Sequence, residues 1–66
     1  MKVRLRNPQR DIDVNESMKA GALLDHLDIN RESALVIVDG ALVPLSHHIA
    51  KNADVEIRNV ISGGAA

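Results

Sequence analysis

The 66-residue sequence predicts an α+β fold, a mixed sheet with one main helix packed on it. Three observations carry that expectation. Apolar and polar residues alternate near both ends of the chain, over 2–6 and 55–61, the period-2 pattern of half-buried strands. Between those ends Ala20, Leu23, Leu24 and Leu27 recur at helical spacing. Asp39-Gly40 separates two apolar runs, a strong short-range hairpin signal because type I′ turns need φ > 0 at both central residues.

In chain order, Val3 and Leu5 face one way and Lys2, Arg4 and Arg6 the other. Asn7-Pro8-Gln9 has turn chemistry, and Ile12 and Val14 resume the alternation among Asp11, Asp13 and Asn15. Together these read as an N-terminal β-hairpin. Asn15, Glu16 and Ser17 offer N-caps for a helix running from Met18 to about Asp28–Asn30, with Lys19, Asp25, His26 and Asp28 outward. Gly21 inside it permits close helix–sheet contact, and a ragged first turn explains it equally well. Ala34–Val38 is a continuous apolar run, expected to be a central strand paired on both edges, with Ile37 and the helical Leu24 as core residues. Ala41–Val43 returns as a strand that Pro44 ends. Leu45–Lys51 has no clean period and reads as a turn with a short helical segment. Val55–Ile61 is the last strand, Val55 and Ile57 on one face and Glu56 and Arg58 on the other. The order is β-β-α-β-β-β, one domain over 1–61 followed by a flexible tail over 62–66.

Composition bounds the function. The core must be aliphatic: there is no Phe, Tyr or Trp, and twenty Leu, Ile and Val side chains do the work. With no cysteine, disulfides and thiolate chemistry are excluded. The longest apolar run is too short to span a membrane, and the charged N-terminal stretch does not read as a signal peptide, so a cytoplasmic location is expected. A net charge of −1 and no base-stacking aromatics argue against nucleic-acid binding. The local basic cluster Lys2, Arg4, Arg6 and Arg10 is set against Asp11 and Asp13.

Catalytic patterns are missing. Ser17, Ser33, Ser46 and Ser62 lie in no Gly-x-Ser-x-Gly elbow. His47-His48 are adjacent and point apart, His26 belongs to the outer helix face, and with Asp25 and Asp28 they read as solvated surface groups, with no metal site expected. Gly63-Gly64 is different, since no fold requirement explains a glycine pair after the last strand. Lacking Cβ, Gly-Gly can thread a narrow channel with backbone approached from both sides. Five residues beyond the sheet reach at most about 17 Å, enough to enter another protein's active site.

The segments Glu32–Pro44 and Asn52–Gly64, with Leu23-Leu24-Asp25-His26-Leu27, resemble the central hairpin, the closing strand with its Gly-Gly, and the helix of ThiS/MoaD-like sulfur carriers. The resemblance covers essentially the whole chain and implies a ubiquitin-like β-grasp fold. It further implies that an E1-like enzyme, using ATP and magnesium, adenylates the Gly64 carboxylate, which then becomes a thiocarboxylate. Its sulfur passes to a biosynthetic enzyme. Gly63 and Ser62 would line the partner's channel, and Val60 and Ile61 would touch its surface. The carrier itself would bind no cofactor, catalyse nothing and be a monomer when free. Ala65-Ala66 depart from the family's terminal Gly-Gly, and the expectation is a precursor from which a protease removes them. Length favours thiamine thiazole as the destination of the sulfur, and a precursor tail favours cysteine or homocysteine synthesis. A β-grasp binding module that uses its sheet face is the main competing reading, and a ubiquitin-like modifier the next.

Overall fold

A computed structural model of the chain describes residues 1–5 and 9–60. The predicted turn at Asn7-Pro8, the end of the first alternation at Arg6, and the tail over 62–66 lie outside the described residues.

The strands are β1 (Lys2–Leu5), β2 (Arg10–Asp13), β3 (Met18–Lys19), β4 (Ala34–Val38), β5 (Ala41–Val43), β6 (His48–Ile49) and β7 (Asp54–Asn59). Among the described residues one helix, α1 (Ala20–His26), and a 3₁₀ turn, Arg31–Ser33, complete the set. Five strands form a sheet in the order β2-β1-β7-β4-β5, and β3 pairs with β6 in a separate ribbon. β1 and β7 run parallel at its centre, with Val3 beside Val55 and Leu5 beside Ile57. All other pairings are antiparallel. This is the mixed sheet with one main helix of a β-grasp fold.

The alternation read from sequence sets the two faces. Val3, Val36, Val38, Val55 and Ile57 point inward, where they pack with Leu23 and Leu24 of α1 and with Ile49 in one core. Among the described residues no polar or charged side chain is buried. Burying aliphatic side chains of this size contributes about 1.5–3 kcal/mol each. At the hairpin between β4 and β5, Asp39 has φ 50° and Gly40 φ 85°, so both central residues take the positive φ that a type I′ turn requires. β4 is paired on both edges, as expected, but Ile37 is only half buried and stands on the outer face opposite Leu42 and Glu56. The expectation that it belongs to the core is corrected: among the described residues there is one helix, and it covers one face of the sheet.

The helix departs further from expectation. Met18 and Lys19 pair with Ile49 and His48, so the chain is still extended where a helix was expected to begin. None of Asn15, Glu16 or Ser17 caps it; the N-cap is Lys19, which makes no side-chain capping bond. Backbone carbonyls from the segment after β5 serve instead: Ala20 N–H donates to His47 O at 2.9 Å and Gly21 N–H to Leu45 O at 2.9 Å. These bonds satisfy two of the donors that a helix start leaves orphaned. Gly21 therefore serves a helix–loop approach and not a helix–sheet one: an added Cβ would lie 3.3 Å from Arg31 Cζ and 3.4 Å from Leu45 O. At the other end Asp28 takes φ 60°, the left-handed position that closes many helices, and Ile29 N–H reaches back to Leu24 O at 2.8 Å. The helix thus stops earlier than the apolar spacing suggests. The short helical segment expected within Leu45–Lys51 is instead a turn followed by β6, and the 3₁₀ turn lies elsewhere, at Arg31–Ser33.

Candidate functional site

The site anticipated from sequence lies where β7 leaves the sheet. Asn59, its last residue, is in register with Ala34 at the start of β4. One residue further, Val60 N–H donates to Ser33 O at 2.7 Å. Val60 is 45% exposed and stands at the chain's way out of the sheet. The other anticipated site residues, Ile61, Ser62, Gly63, Gly64, Ala65 and Ala66, lie outside the described residues.

The surface around this point divides by charge. On the outer face, β1, β2 and β7 present a ladder of opposite signs. Arg4 stands beside Asp11 and Glu56, and Lys2 beside Asp13 and Asp54. Arg4 pairs with Asp54 at 3.2 Å and Arg58 with Glu56 at 2.8 Å. Exposed pairs of this kind add little stability, but the first gives Arg4 of the N-terminal hairpin an acidic partner. On the β4–β5 side the same face is apolar: Leu35 is 41% exposed and Leu42 63%. With Pro44 and Leu45 these two line a shallow depression, and Leu35 is in register with Arg58, two residues before Val60. Leu35 and Leu42 were not singled out from sequence. The signal was present in Ala34–Val38, a strand apolar at every position in a sequence whose spacing predicts a single main helix to cover it.

The 3₁₀ turn beside the exit is anchored to the helix. Arg31 donates two parallel hydrogen bonds to Asp25, Nε to Oδ1 at 3.1 Å and the terminal nitrogen to Oδ2 at 2.6 Å. The hydrogen-bonded Arg31 guanidinium holds the Asp25 carboxyl below its ordinary value, and the Asp25 carboxylate in turn raises the Arg31 guanidinium. Asn30 Oδ1 accepts from Glu32 N–H at 2.9 Å, capping the turn.

Ser17 and Ser46 are exposed, as are His26, His47 and His48. Among the described residues no three His, Asp or Glu side chains gather as metal ligands would, and no helix is long and apolar enough to cross a membrane.

No curated protein matches the chain. Among protein families, the ThiS family matches it over residues 2–64, from the first strand through the glycine pair. A match over nearly the whole length settles the kinship: the chain belongs to the ThiS family, and its membership suggests the role of a sulfur carrier.

Proposed function

We propose that this protein carries sulfur as a thiocarboxylate on Gly64. An E1-like enzyme binds the carrier and directs the Gly64 carboxylate onto the α-phosphorus of ATP, with pyrophosphate leaving and magnesium assisting. Sulfide supplied by a sulfur donor then attacks the acyl-adenylate carbon, AMP leaves with formation of the thiocarboxylate, and the thiocarboxylate passes its sulfur to an acceptor enzyme. The observation that carries this reading is the extent of the family match, which ends on Gly64. The carboxylate of Gly64 must be free for this chemistry, so in this reading the bond between Gly64 and Ala65 is hydrolysed first. The carrier brings a substrate to these enzymes and contributes no catalytic group.

Two physical features support the assignment. A backbone carboxylate can carry sulfur in a chain that lacks cysteine. The sheet face beside the exit also offers apolar Leu35, Leu42 and Val60 next to paired charges, the composition of a docking surface with an apolar centre and a polar rim. We place the contact with both enzymes there, extending through Ile61. The acceptor belongs to thiamine thiazole synthesis or to a cysteine- or homocysteine-forming pathway, and the setting is cytoplasmic.

The test uses the chain ended at Gly64, together with Gly64→Ala and a deletion of residues 63–66. The carrier reading expects ATP-dependent thiocarboxylate formation on the first chain alone, with all three proteins equally stable. If the deleted chain still forms its complexes and supports the pathway, the protein is a binding module and its tail is incidental.

A further inference from the structure

We propose that the Asn30–Ser33 turn is a clamp that fixes where the tail leaves the sheet, with Asn30 and the Ser33 carbonyl acting as positioning groups for activation of Gly64. The proposal rests on the carrier reading and adds to it a part of the fold outside the tail.

The hydrogen bond from Val60 N–H to Ser33 O, 2.7 Å long, lies beyond the last ladder pair, Ala34 with Asn59. Its acceptor belongs to a residue of the 3₁₀ turn and not to β4. The direction of that carbonyl is therefore set by the turn. The turn in turn is held from three sides: Ser33 N–H donates to Asn30 O at 3.1 Å, Glu32 N–H to Asn30 Oδ1 at 2.9 Å, and Arg31 grips Asp25 at the end of α1. None of this is needed to close the core, since Asn30, Arg31, Glu32 and Val60 are all exposed. What it does is hold the backbone of one residue past the sheet. Ordering one residue's backbone changes an equilibrium constant by roughly 5- to 30-fold. A carrier that has already ordered Val60 offers its partner a tail with a fixed origin, and binding does not have to supply that order.

The experiment uses chemically synthesised chains ending at Gly64. One carries 2-hydroxyisovaleric acid, the α-hydroxy acid analogue of valine, in place of Val60, which replaces the amide N–H by an ester oxygen and keeps the side chain. The others are Asn30→Ala, which loosens the turn, and Asn30→Asp, which keeps an acceptor for Glu32 N–H. Each is tested for folding by circular dichroism and for activation by ATP–pyrophosphate exchange with the E1-like enzyme of the same cells. The clamp predicts that the ester chain raises KM for the carrier roughly 5- to 30-fold with kcat unchanged. Asn30→Ala should raise it less, and Asn30→Asp should restore the wild-type value. A folded ester chain with the wild-type KM overturns the clamp and leaves the carrier reading standing. Failure of the wild-type chain itself to exchange overturns the carrier reading, and the clamp with it.

Discussion

Two isoleucines on neighbouring strands provide a stringent test of how the sheet is built. Ile57 on β7 is 2% exposed and packs under α1, whereas Ile37 on β4 is half buried on the uncovered face. Truncating either to alanine removes three carbons, about 2.4 kcal/mol of transfer free energy when the site is fully buried. At Ile57 a cavity term adds to that, because Val3, Val36 and Leu24 cannot fully collapse, and the expected loss is about 3–4 kcal/mol. At Ile37 solvent already reaches part of the side chain and no closed cavity forms, so the loss should be about 1 kcal/mol. Total stability for a domain of this size is about 3–10 kcal/mol, so Ile57→Ala removes a large share of it. With no Phe, Tyr or Trp to report on folding, urea unfolding would be followed by far-UV circular dichroism. Thermal midpoints should fall by about 4–8 °C per kcal/mol. Equal losses at the two sites would refute the assignment of faces and mean that something covers the outer side of β4.

Other predictions follow from local geometry. Gly40→Ala places a side chain in open space but at φ 85°, so a loss of about 1–2 kcal/mol is expected from backbone strain alone; urea unfolding that shows no change would remove the turn assignment. Because Arg31 holds the folded-state pKa of Asp25 below 3.8, the pair's contribution is complete at neutral pH and is lost as pH falls through that depressed value. The wild type should therefore have a slightly higher thermal midpoint than Arg31→Ala near neutrality, with the gap closing on acidification; a gap that widens in acid has the wrong sign. Gly64→Ala should abolish thiocarboxylate formation and leave the urea midpoint unchanged, whereas a large loss of stability would show that the tail is packed.

Much of the fold was legible because its signals are local. The alternation around Val3 and around Val55–Ile57, the apolar run at Ala34–Val38 and the Asp39-Gly40 turn each state their structure within a few residues. What escaped depends on partners distant in sequence. β3 and β6 are two residues each, too short to show a period, and they exist because Met18 meets Ile49 across the chain. The same meeting delays the helix, whose start is capped by the carbonyls of Leu45 and His47 and not by a nearby side chain. Asn30 was read only as the limit of a helix, although it also opens the 3₁₀ turn, and one short polar residue can serve either role. For the site, Val60 could be marked from sequence because it precedes the glycines. Leu35 and Leu42 emerged only once the sheet had one covered face and one open one.

The central claim is that sulfur rides on Gly64. The most direct measurement is the intact mass of the untagged protein purified from its native cells under sulfur-limited growth. The expected species ends at Gly64, part of it heavier by the difference between one sulfur and one oxygen. A protein that keeps Ala65 and Ala66 throughout, with no sulfur-bearing form, would contradict it.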